Sequence, residues 1–423
     1  MPWLAILSVF AQYSGSMTGG LRRIAMVSMH TSPADAPGIG DAGGMNVAIL
    51  ALAKQLALRG VEVDLLTRAS AIPQDRALAD GVTLRALAAG PPSPVPKNRL
   101  VDVADEFGEA VATLVGRPQP RYDLLHSHYW LSGLATLPVA IELGLPFVQT
   151  FHTLAAMKNR SLAPGDAPEH EGRLRGEAFL AGQADAIVAG SAAEVGTLID
   201  DLRTPAERLW VIPPGVDTAL FSPDRVRNDA VLRAHLGLEP GRAIIVLAGR
   251  VQPLKDQELG IRILAELSMV SPSPLLVIAG EATDAGYRAR LEQAAIVHGV
   301  EPDVRFVGAL ERETLADLFA AAEFTLVTSY SETFGLVALE SAASGTPVIA
   351  YRGTGLVESV GDGESGYLID SRDPADWAAA ILAHRADGAR VAAMRRSARS
   401  FAEGFTWGTA AASHLALYES LVR

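Results

Sequence analysis

Residues 243–255 read Ala-Ile-Ile-Val-Leu-Ala-Gly-Arg-Val-Gln-Pro-Leu-Lys. The apolar run 243–248 has no polar interruption, stops at Gly249, and is followed at once by two cations, Arg250 and Lys255. A short run of this kind, closed by glycine and trailed by a helical segment, is the mark of a strand covered on both faces, which belongs to a parallel sheet. The same alternation continues downstream, with strand candidates at 275–279, 304–307, 324–328, 347–350 and 367–369. Upstream an earlier series occupies 23–29, 61–67, 82–87, 123–127, 146–151, 185–189 and 209–212. Two such series predict an α/β protein of two doubly wound, Rossmann-like domains. The junction falls near Pro213-Pro214-Gly215-Val216-Asp217, where a turn-rich segment leads to a new helix over 229–236. Residues 21–215 together with 401–423 should form the first domain and 216–400 the second. Ligands of open parallel sheets bind beyond the carboxyl ends of the strands, so the two domains should share one cleft.

Composition removes whole classes of function. The 423 residues include no cysteine, which excludes disulfide scaffolds, thiol nucleophiles and cysteine-ligated metals. A balance of 36 Lys and Arg against 48 Asp and Glu, a formal charge of -12, argues against binding to nucleic acid or to anionic membrane. It leaves room for a small anion, which needs only a few cations in one cleft. The first twenty residues carry a short apolar run but no basic region before it, so they read as a disordered leader or start-site extension ahead of Met17 rather than a secretion signal. No other apolar stretch approaches the roughly 20 residues of a membrane span, and a soluble, cytoplasmic protein is expected.

A glycine-rich loop offers a decoy. Gly38-Ile39-Gly40-Asp41-Ala42-Gly43 fits G-x-G-x-x-G, and Asp64 follows at about the spacing of a dinucleotide fingerprint. The fingerprint needs its first glycine directly after the strand, whereas residues 30–37 intervene, and Asp64 sits inside its strand. A loop whose amides approach a sugar or phosphate, with the helix from about Met45 aimed at the ligand, fits better. The plain alternative is a loop that only needs positive φ angles.

Two further elements carry chemistry. Gly249-Arg250-x4-Lys255 places two cations beside a glycine at one strand end, which suits a diphosphate: arginine binds oxygens in pairs and lysine acts as a movable point charge. Glu332-Thr333-Phe334-Gly335-Leu336-Val337-Ala338-Leu339-Glu340 sets two carboxylates at E-x7-E spacing, one at a turn and one about two helical turns on. Carboxylates accept hydrogen bonds from vicinal hydroxyls, and the turn offers free backbone N–H groups. Each element alone is matched by solvated surface residues; together they are not.

With the glycine-rich loop, these elements resemble the retaining nucleotide-sugar glycosyltransferases of the GT-B fold. Four N-terminal motifs narrow the resemblance to the D-inositol 3-phosphate glycosyltransferase family of mycothiol biosynthesis: Ser28-Met29-His30-Thr31-Ser32-Pro33, Gly40-Asp41-Ala42-Gly43-Gly44-Met45-Asn46-Val47, His126-Ser127-His128-Tyr129-Trp130-Leu131-Ser132-Gly133, and His152-Thr153-Leu154-Ala155-Ala156-Met157-Lys158-Asn159. The likeness runs from about Arg22 to the C-terminus. It implies transfer of N-acetylglucosamine from UDP-N-acetylglucosamine to 1D-myo-inositol 3-phosphate with retention. On the donor side it implies Arg250 and Lys255 on the diphosphate, Glu340 on the ribose, Glu332 and the following amides on the sugar, Gly44 near the diphosphate and the main chain at Leu310 by the uracil. On the acceptor side it implies Lys97, Tyr129, Thr153 and Arg173 on the phosphate, with His30, Asp41, Ala42, Gly43, Gly44, Met45 and Asn46 around the inositol. His152 would position the donor sugar beside the catalytic Arg250, Lys255 and Glu332.

No cofactor is required on this reading, although the family implies a structural magnesium ion on main-chain oxygens at Phe319, Ala320 and Ala322 with Thr346. A homodimer is likewise implied by the resemblance alone. The chain departs from relatives at Ala48, usually Tyr, at Phe151, often Ala, at Thr328, usually Pro, and in a shortened turn over 280–286. These departures leave the donor hexose open, and a sister enzyme acting on another UDP-hexose or another cyclitol or aminocyclitol is the nearest alternative. A non-catalytic nucleotide-sugar sensor on the same scaffold is the rival from another class.

Overall fold

A computed structural model of the chain describes residues 20–38, 40–269 and 273–422. All but the last residue of the expected leader at 1–20 lies outside them. The first sheet is built from β1 (Arg23–Val27), β2 (Glu62–Arg68), β3 (Asp75–Ala79), β4 (Val82–Leu87), β5 (Leu124–His128), β6 (Phe147–Thr150), β7 (Ala186–Ala189) and β8 (Leu209–Val211). The second is built from β9 (Ile244–Ala248), β10 (Leu275–Ala279), β11 (Val304–Gly308), β12 (Phe324–Val327), β13 (Val348–Tyr351) and β14 (Gly366–Ile369). Their orders are β3-β4-β2-β1-β5-β6-β7-β8 and β11-β10-β9-β12-β13-β14. Every pairing is parallel except β3 with β4. This is the GT-B fold, two α/β sheets of Rossmann type.

Strand periodicity explains why both faces of each sheet are apolar. Along β1, Ile24 and Met26 enter one core, with Ile49 and Leu52 of the Gly44–Ala57 helix. Ala25 and Val27 enter the other, with Phe107 and Val111 of the Ala104–Val115 helix. Alternate residues therefore feed opposite layers, and no polar position is tolerated in the run. β9 does the same in the second sheet: Ile245 and Leu247 pack on the Gln257–Ser268 side, while Ile244 and Val246 pack on the Arg312–Ala321 side. The hairpin strand β3 was not anticipated from the sequence. It is an exposed edge of charged and small residues, held to β4 by register and by Arg85 Nη1 to Asp75 at 2.5 Å, and it shows no apolar run.

The chain crosses between the sheets twice, and the two crossings touch. Val216 N donates to Phe405 O at 2.9 Å, and Val216 bridges Thr406. The Gly388–Glu403 helix still buries Ala398 and Ala402 in the second domain's core. Only after Phe405 does the chain return, and the Trp407–Leu421 helix buries Ala411, Leu417 and Tyr418 against the first sheet. The return therefore begins at 405–407 rather than at 401. Among the described residues no helix is long and apolar enough to cross a membrane.

Candidate functional site

The residues singled out from the sequence follow strand carboxyl ends. Tyr129 follows β5; His152 and Thr153 follow β6; Gly249 and Arg250 follow β9; Glu332 lies beyond β12. They meet around a cavity of about 440 Å³ between the sheets, lined on one side by His30, Asp41, Lys97, Tyr129, His152 and Thr153 and on the other by Arg250, Lys255, Leu310, Glu332 and Glu340. Ala42, Gly43, Gly44 and Met45 complete its floor.

On the second-domain wall, Lys255 Nζ reaches Glu332 Oε1 at 2.5 Å and Ser329 Oγ donates to the same oxygen at 2.7 Å. The loop bearing Lys255 is fixed from behind, because Thr328 Oγ1 donates to Lys255 O at 2.7 Å. Thr328, where the resemblance leads one to expect proline, thus supplies a hydroxyl that ties down the loop bearing Lys255. Gly280 permits the crossing of the neighbouring loop: with φ at +146°, any Cβ there would sit 2.0 Å from Gly249 O. Glu340 is buried, which pushes its pKa up, while Arg312 opposes the shift from 3.2 Å. Glu332 and Glu340 are held by different cations, Lys255 and Arg312.

On the first-domain wall, Lys97 Nζ lies 3.3 Å from Asp41 Oδ1, and Arg250 of the opposite wall lies 3.6 Å from the same oxygen. Enclosure by the cleft walls lowers the Lys97 pKa, with Asp41 opposing and Arg250 and Arg173 adding to the fall. Tyr129 has Lys97 and Arg173 over its ring, each at 5.1 Å. Tyr129 and His152 hold φ at 74° and 61°, left-handed conformations that cost non-glycine residues of order 1–3 kcal/mol and that gather at functional sites. Burial drives His152 down to about 3 and holds His30 well below its ordinary value, so both are neutral.

Two expected acceptor contacts are placed behind the wall instead. Asn46 is buried: its amide donates to Thr31 Oγ1 at 3.0 Å and Ser32 O at 2.6 Å, and its carbonyl takes Gly43 N at 3.0 Å. It shapes the loop. The Arg173 guanidinium is held by Glu177 at 2.7 Å, Glu169 at 3.1 Å and Thr153 Oγ1 at 2.9 Å, and it orients Thr153 from beneath. The charge of a buried arginine must be matched, and here two carboxylates match it. Gly44 is the first helical residue, with Leu336 of the opposite domain 3.2 Å from where its Cβ would stand. In the glycine-rich loop only Gly38 and Gly40, among the described residues, take positive φ. Asp64 is buried in β2, bonded by Tyr122, Arg23 at 2.9 Å and Arg85 at 3.1 Å, which rules out a ribose partner in the dinucleotide sense.

Sequence reading missed four cleft residues. Arg312 has no local motif to separate it from a surface cation. His128 Nδ1 meets His152 Nε2 at 2.9 Å, and its Nε2 is buried without a partner. His414 arrives from the far end of the chain. Glu194 carries the capping signature Ser191-x-x-Glu194, yet its second oxygen is buried without a partner and burial raises it to about 7.

The magnesium expectation can be tested on its own ligands. Phe319, Ala320 and Ala322 lie at the carboxyl end of the Arg312–Ala321 helix, about 15 Å along its axis from the end that meets the cleft. Arg395 Nη2 donates to Ala320 O at 3.1 Å and Nη1 to Ala322 O at 3.0 Å. Thr346 Oγ1 donates to Phe319 O at 2.6 Å. The oxygens converge, but on a guanidinium and a hydroxyl donor, and they do not fit a metal ion.

Facing sheets, a cation pair beside a carboxylate pair, and strand-end loops closing one cleft define a glycosyltransferase of the GT-B class. Family comparison agrees in both halves: residues 42–220 match the Glycosyltransferase Family 4 model and 229–401 the model for Glycosyl transferases group 1. The chain is 40% identical over 406 residues to the D-inositol 3-phosphate glycosyltransferase of Acidothermus cellulolyticus, covering 94% of this chain and 90% of that one. It is 42% identical over 407 residues to that of Nocardiopsis dassonvillei, covering 94% of each. Among solved structures, the sucrose-phosphate synthase of Thermosynechococcus elongatus superposes with a TM-score of 0.86 at 30% identity, covering 95% of this chain and 99% of that one. Anabaena Alr3699/HepE in complex with UDP and glucose shares the fold, with a TM-score of 0.74 at 21% identity, covering 95% of this chain and all of that one. The chain belongs to the D-inositol 3-phosphate glycosyltransferase family.

Proposed function

We propose that this enzyme transfers N-acetylglucosamine from UDP-N-acetylglucosamine to 1D-myo-inositol 3-phosphate with retention at the anomeric carbon, the first step of mycothiol biosynthesis. The names of relatives matched over nearly the whole chain support this reading. The observation that carries it is the position of Asp41, whose carboxylate lies between Lys97 on one wall and Arg250 on the other. A carboxylate that bridges two cations marks two neighbouring anion positions. The donor diphosphate takes the Arg250 and Lys255 side and the acceptor phosphate the Lys97 side, beside Tyr129 and Thr153.

Departure of UDP places negative charge on the β-phosphate. Arg250 and Lys255 stabilise it in a cleft where fixed charges act more strongly than in water. The departing phosphate oxygen takes the proton of the attacking inositol hydroxyl on the same face, so no covalent enzyme intermediate forms. Glu332, held by Lys255 and Ser329, accepts from donor sugar hydroxyls; Glu340 accepts from the ribose. Neutral His152 orients the sugar. Closure over the cleft keeps water from the activated sugar.

The test is UDP release, crossing UDP-N-acetylglucosamine and UDP-glucose with inositol 3-phosphate, free inositol and 2-deoxystreptamine. Turnover should be highest for UDP-N-acetylglucosamine with inositol 3-phosphate. Equal turnover with free inositol would refute the phosphate site, and preference for 2-deoxystreptamine would move the enzyme to the aminocyclitol branch. Absence of UDP release with every pair would make the protein a nucleotide-sugar binder.

A further inference from the structure

The Arg312–Ala321 helix ends without a basic residue in its last turn. Its terminal carbonyls carry the negative end of the helix dipole and have no intrahelical donors, so the end calls for a cation or for donors from elsewhere. The donors come from the Gly388–Glu403 helix, more than seventy residues away in sequence. Arg395 spans the end of the helix with both terminal nitrogens, at 3.0 Å from Ala322 O and 3.1 Å from Ala320 O. One turn further along the same helix face, Arg399 Nη1 treats three other carbonyls alike: Phe221 O at 2.7 Å, Ala343 O at 2.8 Å and Thr218 O at 3.1 Å. The Thr346 hydroxyl adds a donor, reaching Phe319 O at 2.6 Å and Ala322 O at 3.3 Å. The single proton of this hydroxyl is thus spent inside the cluster, on the carbonyls that would have to be free for a metal ion.

We infer that the Arg395 guanidinium is a built-in cation standing where the family resemblance implies magnesium, and that it makes the second domain independent of metal. The site asks for positive charge near main-chain oxygens, and a guanidinium fixed by its own helix supplies the charge at any metal concentration. Two cations cannot share the cluster: a metal ion drawn to the same carbonyls would face the guanidinium across a few ångströms of partly buried space. Arg395 also ties the Gly388–Glu403 helix, which leads to the crossing at 405–407, to the helix whose other end meets the cleft.

The experiment compares the full-length protein with Arg395→Met, which keeps the apolar stem and removes the charge, and with Arg395→Lys, which keeps a charge. Each is dialysed against EDTA, its magnesium content measured by elemental analysis, and its melting temperature recorded with millimolar magnesium chloride or with sodium chloride of equal ionic strength. The wild type is expected to hold no stoichiometric magnesium and to melt at one temperature in both salts. Arg395→Met should melt lower by about 4 °C and recover part of the loss in magnesium alone; Arg395→Lys should melt near the wild type. Retention of one magnesium per wild-type chain, or a wild-type melting temperature raised by magnesium over sodium, would overturn the inference. So would an Arg395→Met protein that melts like the wild type, or whose loss magnesium does not repair. If Arg395→Met does not fold, the wild-type metal content and the Arg395→Lys melting temperature decide by the same criteria.

Discussion

Lys255 and Glu332 show how a short spacing in sequence becomes a site. The G-R-x4-K pattern places both cations at one strand end, and the reach of Lys255 to Glu332 follows because β9 and β12 are neighbours, while Arg250 meets Asp41 across the cleft. Those residues were legible because each motif is local, Arg250 with Lys255 in one loop and Glu332 with Glu340 along one turn and helix. Asn46 and Arg173 are of equally suitable types, yet they are turned to support the loop and Thr153. Side-chain direction at those positions depends on what lies beneath, which local sequence does not encode. Lys255→Ala removes one of two charges at the departing phosphate and should cut turnover with UDP-N-acetylglucosamine by roughly 100-fold to 1,000-fold. Single-turnover UDP release, with circular dichroism to confirm folding, measures it; unchanged turnover would mean that the clamp is misassigned.

At the scale of elements, parallel strands were legible wherever an apolar run was continuous, and the helix Asp229–Leu236 falls where the sequence placed it. The edge strand β3 was not, since exposure on an edge removes the pattern that betrays a strand. The paired crossings depend on Gly215: a Cβ there would stand 2.2 Å from Trp407 N, within the backbone of the returning segment. Gly215→Ala should therefore part the 213–217 and 405–407 segments and destabilise the protein by roughly 1–3 kcal/mol. Calorimetry checks this, and an unchanged melting temperature would show that the two crossings are loosely joined.

The whole molecule is held closed by contacts that cross the cleft. Thr333 Oγ1 donates to His152 O at 2.5 Å, Ala192 N to Glu358 Oε1 at 2.5 Å and Gly40 N to Glu281 Oε2 at 3.2 Å. Beneath the cleft lies an array of buried histidines joined to the C-terminal helix, with His126 Nδ1 2.6 Å from the Tyr418 hydroxyl and the His126 and His128 rings 4.1 Å apart. Burial holds His30, His126 and His128 well below 6.5, His152 at about 3 and His414 at about 4. A histidine lowered in the folded state stabilises the fold above its unfolded value, and that stability is lost as pH falls below 6.5 at about 1.4 kcal/mol per pH unit for each proton. Glu177, Glu194, Glu340 and Glu358 are raised by burial and oppose this, Glu194 to about 7; the lowered histidines, His384 among them, outnumber the carboxylates and set the sign between pH 6.5 and 5. Denaturant unfolding free energy should be flat near pH 7 to 8 and fall steeply below 6.5. A flat profile down to pH 5 would mean that the array accepts protons while folded.

The sequence by itself determined the two parallel sheets, the cleft between them and the phosphate-binding elements at the strand ends, because apolar runs and short motifs are local and the carboxyl-end rule turns their order into position. Only the tertiary structure decided which of several suitable cations and amides face the cleft, which histidines share one buried array, and that Arg395 occupies the carbonyls of a distant helix end. Those outcomes depend on residues tens to hundreds of positions apart meeting across packed layers, and on burial forcing each charge and each polar atom to find its partner there.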